Sequence, residues 1–273
     1  MDSRKDAWEM LKETSRTFYI PITHLPLGLR EAVASAYLCM RAIDQIEDGP
    51  QLDNSLKEKL LRNVSLKFQS EVDGSTLNDF ASAFSPYQDQ LEDVTTRIGE
   101  WALLAPKAIA PRIWDATAAM SERMAHWASN NWKIETEADL NGYTYTVAAT
   151  VGLLLSDLWA WYDGTQTNRV EAIGFGRCLQ AINILRNHTE DLARGVDFFP
   201  NGWSEEDMQM YARRNLAMTE AYIKSLPPGP VLEFCQIILT LSTHTLDALA
   251  RGEHKLSRST VIALVEQVTG KEK

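Results

Sequence analysis

Long apolar runs, paired cysteines and an excess of basic residues are all missing from this 273-residue chain. An apolar run such as residues 147–155 is far shorter than the ~18 residues that a membrane-spanning helix needs. The three cysteines are widely spaced and match no zinc pattern, which favours reduced thiols and a cytoplasmic protein. The N-terminal segment carries charges but no apolar core, so no secretory signal is expected. A net charge of −10 argues against nucleic acid as a partner.

Alternating strand patterns, internal repeats and a glycine-rich dinucleotide fingerprint are absent as well. Apolar residues recur instead at three- and four-residue steps through most of the chain, which predicts helices. The predicted helices span residues 27–48, 55–68, 91–104, 111–133, 137–162, 167–194, 204–226, 232–251 and 257–268. Ser204 and Asp207 predict a capping box at the start of one of them. Because the loops are short and no linker is visible, residues 1–273 are predicted to form one all-α domain packed around a central core.

The segment "YLCMRAIDQIED", residues 37–48, places acidic side chains on one face of a predicted helix. Asp44 and Asp48 are one turn apart, so their β-carbons lie roughly 5–6 Å apart. Two acids this close repel each other, and a Mg²⁺ ion with waters and substrate phosphates would compensate them if they face inward. Arg41 could then hold a phosphate oxygen. The alternative, which the spacing alone favours, is a solvated acidic turn at the end of a helix.

A second polar stripe lies in "CLQAINILRNHTEDLARGVDFFP", residues 178–200. Its members share one helical face beside apolar neighbours, and they are Gln180, Asn183, Asn187 and Asp191. Arg186 and Arg194 lie close to this stripe. Buried amides need hydrogen-bond partners, so the stripe could also join helices or face water. Two inward polar stripes that face each other across a bundle are a recurrent way to build a metal site.

Between these clusters, "YTYTVAATVG" at residues 143–152 combines tyrosines with small residues. Ala148, Ala149 and Gly152 would allow close approach of either another helix or a ligand. Tyr143 and Tyr145 enter the same predicted helix. The alternative for both tyrosines is ordinary core packing with hydrogen-bonded hydroxyl groups.

In this order, the three segments resemble the motifs of the squalene/phytoene synthase family of isoprenoid enzymes. The resemblance runs from "SRTFYIPITHLP" (15–26) through "AYLCMRAIDQIED", "YTYTVAATVG" and "LQAINILRNHTEDLARG" to "RGVDFFP" (194–200). It implies an all-α isoprenoid-synthase fold in which two acid-bearing helices face each other across a deep apolar cavity. It also implies Mg²⁺ as the cofactor and a prenyl diphosphate, with farnesyl diphosphate favoured, as the substrate.

The resemblance also implies roles for individual residues. The expected metal-site residues are Asp44, Asp48, Asn183, Asn187 and Asp191. The residues expected to bind the substrate are Ser15, Phe18, Tyr37, Arg41, Gln180, Asn183 and Arg186. The residues expected to take part in catalysis are Asp44, Asp48, Asp191 and Tyr143, the last of which matches a tyrosine implicated in later steps of the family's reactions.

Asn187 departs from the family pattern, which has an aspartate at this position. An amide oxygen can bind Mg²⁺ but brings no charge, so the second half of the metal site is weakened. The main expectation is therefore an enzyme that ionises farnesyl diphosphate and lets water capture the cation, giving farnesol and pyrophosphate. The alternative is a head-to-head farnesyl transferase that makes presqualene diphosphate, squalene or dehydrosqualene.

A third interpretation is a non-catalytic relative that serves as an assembly module. Asp44, Asp48 and Arg41 argue against it, because a degenerate relative is expected to lose them. The sequence leaves open the oligomeric state, the need for a nicotinamide reductant and a transient membrane contact that collects or releases a lipid product.

Overall fold

Helices form every regular element in the parts of the chain that the computed structural model describes, which are residues 3–15, 18–253 and 256–270. No strand occurs in these ranges, so the all-α prediction is confirmed. None of the helices in them is long and apolar enough to cross a membrane. The internal contacts divide the chain into two units, one that ends at Trp132 and one that begins at Lys133. One domain over residues 1–273 stays a prediction.

The first unit is built from helices and short 3₁₀ turns. Its helices are α1 (Ser3–Thr14), α2 (Tyr19–His24), α3 (Leu29–Asp48), α4 (Asn54–Ser70), α5 (Phe80–Phe84), α6 (Asp93–Thr96), α7 (Ile98–Ala102) and α8 (Ala110–Ser129). The 3₁₀ turns are Leu77–Asp79 and Ser85–Gln90. Helices α3 and α8 each have 20 residues, so each is about 30 Å long.

Helix α3 lies at the centre of the first unit, where it contacts α4, α6, α7 and α8. Cys39, Ile43 and Ile46 are fully buried in these contacts. Their spacing of four and three residues keeps them on one side of the helix. Asp44 directly follows Ile43, Asp48 lies two residues after Ile46, and both acids remain partly exposed. The apolar pattern of α3 therefore turns its acidic face away from the core.

One helix predicted in this unit is wrong. Residues 91–104 form two short helices, α6 and α7, instead of one, and the helical pattern breaks at Arg97. The indole nitrogen of buried Trp101 donates to the carbonyl oxygen of Val94 at 2.8 Å. This bond satisfies a carbonyl that a continuous helix would pair with a backbone N–H.

The second unit begins with one long helical run. Helix α9 (Glu137–Thr144), a π-helical turn (Tyr145–Ala149) and α10 (Thr150–Asp163) follow one another directly, which matches the helix predicted over 137–162. The remaining helices are α11 (Arg169–Ala193), α12 (Glu205–Lys224), α13 (Pro230–Ala250) and α14 (Arg258–Thr269). The predicted capping box is present, because Ser204 and Asp207 exchange backbone-to-side-chain hydrogen bonds before α12.

Glycines allow α11 to approach the π-helical turn and α10 closely. A β-carbon on Gly176 would lie 2.2 Å from the carbonyl oxygen of Ala148. A β-carbon on Gly152 would likewise lie 2.2 Å from the carbonyl oxygen of Ala172. Real β-carbons do not approach a carbonyl oxygen this closely, so both positions require glycine. Of the two alternatives that the small residues of 143–152 left open, the structure shows packing of another helix at this point.

The cysteines are all buried and none forms a disulfide, in agreement with the expected reduced thiols. Burial raises the pKa of Cys39 and of Cys178 to about 12. Both thiols therefore stay protonated at neutral pH and pack as small apolar groups.

Candidate active site

The last three turns of α3 present the first group of predicted site residues. Tyr37, Arg41, Asp44 and Asp48 recur at three- and four-residue steps, so they share one face of the helix. The helix ends at Asp48, and Gly49 follows as its C-terminal cap residue. The two carboxylates thus stand at the final turn, where they are partly exposed.

Arg41 and Asp44 form an ion pair within this face. Both side chains are about one-third exposed, at 31% and 36%. A pair this exposed contributes about 1 kcal/mol or less to stability. The Nε atom of Arg41 is buried and has no hydrogen-bond partner among the described atoms. The guanidinium therefore keeps a donor for a further acceptor while it orients the carboxylate of Asp44.

Ser15, Phe18 and Tyr37 lie together beside this face. The hydroxyl oxygen of Ser15 accepts a hydrogen bond from the backbone N–H of Phe18 at 2.9 Å. The phenol of Tyr37 donates to the carbonyl oxygen of Thr14 at 3.1 Å, and the Phe18 and Tyr37 ring centroids are 5.7 Å apart. Burial raises the pKa of Tyr37, so its phenol stays neutral and keeps its hydrogen bond to Thr14. Residues 16 and 17 of this motif lie outside the described residues.

The second group of predicted residues lies on α11 in the second unit. Arg186 donates to the side-chain oxygen of Asn183 at 2.6 Å and to that of Asn187 at 3.3 Å. The amide nitrogen of Asn187 also donates to the oxygen of Asn183 at 3.2 Å. Gln180 is partly exposed and one turn earlier on the same helix. A guanidinium cation therefore bridges the two amide oxygens for which the family resemblance implies a metal ion.

Asp191 lies one turn further along the same helix. It is buried, with 5% exposure, and it accepts a hydrogen bond from the guanidinium of Arg194. Its backbone carbonyl also accepts from the N–H of Val196 at 3.0 Å, which ties the end of α11 to the following loop. A buried carboxylate with a cationic partner keeps its charge at a much lower energetic cost than an isolated one.

Tyr143 is buried in the last turn of α9, two residues before the π-helical turn begins. Its ring stacks on that of Phe198, with centroids 4.6 Å apart and planes inclined by 19°. Phe198 lies within the motif "RGVDFFP" but was not among the residues predicted for the site. The stack fixes the ring of Tyr143, and π-helical turns are often found at functional sites.

The predicted site residues of α3 and those of α11 differ in how well their side-chain oxygens suit a divalent cation. Asp44 and Asp48 offer charged oxygens, and Mg²⁺ favours one or two carboxylates with waters or phosphate oxygens in its other positions. Within the described residues, no group of three or more His, Cys, Asp or Glu side chains is placed to hold a metal ion. The acid pair therefore fits a Mg²⁺ ion that is completed by water or substrate. The Asn183 and Asn187 oxygens fit less well, because Arg186 already lies on both.

Comparison with known proteins decides the family. A family model described as squalene/phytoene synthase matches residues 11–210. The chain belongs to the squalene/phytoene synthase family. This confirms the resemblance stated from the motifs, and the matched range contains every residue predicted for the site.

Individual relatives of this family support the fold. The squalene synthase of Schizosaccharomyces pombe is 29% identical over 277 residues, which cover 90% of this chain and 59% of that protein. The structure of TcSQS with the ligand E5700 has a TM-score of 0.81 and 22% identity, over 98% of this chain and 86% of that one. A dehydrosqualene synthase with bound ligand has a TM-score of 0.62 and 19% identity, over 98% and 97% of the two chains. The chain thus has the helical isoprenoid-synthase fold.

Proposed function

We propose that the chain is a Mg²⁺-dependent head-to-head farnesyl transferase, whose product is presqualene diphosphate, squalene or dehydrosqualene. The observation that carries this proposal is the acid pair Asp44 and Asp48 beside Arg41 on one face of α3, in a member of this family. The names of the relatives favour coupling over the release of farnesol, which was the main expectation from the sequence. A transient contact with a membrane that supplies or receives these lipids is part of the proposal.

The charged groups of α3 suit a diphosphate. Asp44 and Asp48 would hold Mg²⁺, which when bound supplies the positive charge that stabilises a leaving diphosphate. Arg41 orients Asp44 and retains its buried Nε donor, which suits a phosphate oxygen. Tyr37 lies one turn before Arg41 and stays neutral, so it adds no negative charge next to a bound diphosphate.

The residues of α11 suit a second anionic group in a different way. Arg186 is exposed and is oriented by two amide oxygens, so its position does not depend on a carboxylate. We assign it to the second diphosphate, where its positive charge would compensate in part for a metal ion that the neutral Asn187 would hold only weakly. Asp191 with Arg194 holds the end of this helix. Tyr143, fixed by Phe198, is assigned to the later rearrangement steps.

Release of farnesol is a second candidate function. The specific observation in its favour is the neutral Asn183–Asn187 pair, which offers a second metal ion no charge. In that case one farnesyl diphosphate would ionise and water would capture the cation. The two functions differ in whether a new carbon–carbon bond forms.

Product analysis separates the two candidates. Purified protein is incubated with farnesyl diphosphate and Mg²⁺, and the products are extracted with and without phosphatase treatment and analysed by gas chromatography. We expect a thirty-carbon hydrocarbon, or presqualene alcohol after phosphatase treatment. Farnesol in the untreated sample, without a thirty-carbon product, would replace the proposed function by the second candidate.

Matched variants test the acid pair. Asp44→Asn and Asp48→Asn should each lower kcat/KM by about 10²–10³-fold, the usual cost of losing one electrostatic stabiliser of a transition state. Asp115→Asn is the control, because Asp115 is an exposed acid on α8 of the same unit. Substrate consumption that is equal in all three variants and the parent would contradict a role for the acid pair.

A further inference from the structure

A pair of charged residues is buried directly behind the acidic face of α3. Glu47, which precedes Asp48, is 8% exposed, and Lys57 on α4 is 9% exposed. Glutamate and lysine are rarely buried to this extent unless they are paired. Neither residue has been given a role in the proposed reaction, so their burial needs a separate explanation.

Trp132 completes a cluster with these two residues, here named the Glu47 cluster (Glu47, Lys57 and Trp132). The indole N–H of Trp132 donates to the carboxylate of Glu47 at 2.7 Å. The ammonium of Lys57 donates to the backbone carbonyl of Glu47 at 2.5 Å and lies 5.1 Å from the centre of the Trp132 ring. Each member of the cluster thus contacts the other two.

The cluster holds the last turn of α3 from two sides. The final carbonyl groups of a helix have no partner within the helix, and Lys57 provides one for Glu47. Because Lys57 belongs to α4 and Trp132 follows α8, the turn that carries Asp48 is tied to both neighbouring segments. A positive charge near a helix C-terminus also interacts favourably with the helix dipole.

The backbone leading to this contact has unfavourable dihedral angles at Asn131 and Trp132. Asn131 and Trp132 have φ angles of 54° and 47°, in the left-handed region that residues other than glycine seldom adopt. The Trp132 side chain is nevertheless buried, with 6% exposure. Unfavourable backbone angles of this kind are held by surrounding contacts, and they concentrate at functional sites.

We propose that Lys57 and Trp132 are positioning residues that hold Glu47, and through it the last turn of α3, so that Asp44 and Asp48 present their carboxylates to one metal–diphosphate group. The inference rests on the proposed function in assigning that group to the acid pair. Glu47 itself acts as the buried attachment point of the turn, since its carboxylate is already bonded to the indole of Trp132.

Direct metal binding tests the proposal without relying on turnover. Mn²⁺ binding to the full chain is titrated by electron paramagnetic resonance in the presence of inorganic diphosphate. Trp132→Phe keeps an aromatic ring beside Lys57 but removes the N–H that Glu47 accepts. We expect it to weaken Mn²⁺ binding by about 10-fold or more, as is usual when a group that orients a metal ligand is lost.

Trp114→Phe is the matched control. Trp114 lies on α8 of the same unit, is also buried, and donates its indole N–H to the carbonyl oxygen of Ala102 at 3.2 Å. The change is chemically identical but leaves the Glu47 cluster intact. The Mn²⁺ affinity of Trp114→Phe should match that of the parent, even if its melting temperature falls as much as that of Trp132→Phe. Equal affinities of the two variants would overturn the positioning role.

Lys57 provides a second pair of variants in case Trp132→Phe does not fold. Lys57→Met should weaken Mn²⁺ binding and increase amide hydrogen exchange in residues 44–48, whereas Lys57→Arg, which keeps charge and donors, should restore most of both. Equal rates of amide hydrogen exchange in residues 44–48 of Lys57→Met and Lys57→Arg would count against the proposal. Failure of the parent to bind Mn²⁺ would overturn both this inference and the metal site, whereas Mn²⁺ binding without a thirty-carbon product would remove the proposed function alone.

Discussion

Asn187 is held by contacts that an aspartate could keep only in part. Its amide nitrogen donates to Asn183 at 3.2 Å, and its oxygen accepts from Arg186 at 3.3 Å. An aspartate would retain and strengthen the bond from Arg186, because a charge-assisted bond is stronger than a neutral one. It would lose the donor to Asn183 and place two acceptor oxygens opposite each other. The neutral residue therefore fits the contact with Asn183, and an acid would fit a metal ion better.

Asn187→Asp is predicted to leave the product unchanged while it lowers the Mg²⁺ concentration needed for half-maximal activity. The added carboxylate attracts a divalent cation that the amide binds weakly. Gas chromatography reports the product, and rates measured over a Mg²⁺ series report the metal requirement. A parent that releases farnesol and a variant that makes a thirty-carbon product would instead support the second candidate function.

The contacts near the site that the sequence did not predict join residues that are far apart in the chain. Spacing alone placed Arg41, Asp44 and Asp48 on one face, because a helix fixes neighbours three and four residues apart. The partners of Glu47 are set by tertiary folding, since Lys57 is 10 residues away and Trp132 is 85 residues away. Nothing in the local pattern around either partner indicates that contact.

At the scale of the elements, α11 packs closely on α10 and on the π-helical turn at two glycines. These contacts fix the position of α11 along its neighbours. Gly176 lies on α11 about two turns before Asn183, at the point where it faces the Ala148 carbonyl of the π-helical turn. A shift of α11 at this contact would move its whole polar stripe. The glycine pair thus links the middle motif of the chain to the position of the second polar group.

Gly176→Ala is predicted to lower the free energy of unfolding by about 1–3 kcal/mol, the usual cost of overpacking a close contact. At a helical position with free space around it, Gly→Ala would instead raise the free energy of unfolding by about 1 kcal/mol. The sign of the change therefore shows whether the close contact exists. Urea denaturation followed by circular dichroism measures it. Gly152→Ala, which faces Ala172 from the other helix, should behave alike. A urea midpoint higher than that of the parent in either variant would contradict the close contact at that glycine.

The elements also show where periodicity succeeds and where it fails. The predicted helix at 27–48 and the observed Leu29–Asp48 end at the same residue, because Gly49 and Pro50 stop the helix locally. The predicted helix at 91–104 fails because the break at Arg97 depends on the tertiary contacts of this segment. Arg97 pairs with Asp6, which is 91 residues away, as well as with Glu100. A pattern of apolar spacing contains no information on such a pair.

For the whole molecule, the charge balance bears on how an anionic substrate is held. The net charge of −10 repels a diphosphate at long range. Under the proposed function, binding would therefore depend on local positive charge, for which Arg41 and a metal ion at the acid pair are the candidates in the first unit and Arg186 is the candidate in the second. Because such contacts are partly exposed, their strength should fall with ionic strength.

Ligand binding should consequently appear in the stability of the full chain. With Mg²⁺ and farnesyl thiodiphosphate, an unreactive substrate analogue, we predict an increase of ~2–4 kcal/mol in the free energy of unfolding at ligand concentrations 100–1,000 times Kd. For a chain of this size that corresponds to a rise of about 3–7 °C in Tm, measured by thermal unfolding. Asp48→Asn should lose the rise and Asp115→Asn should keep it, because the first removes a carboxylate of the proposed metal site and the second an exposed acid on α8. An unchanged Tm for the folded parent would favour a non-catalytic assembly module.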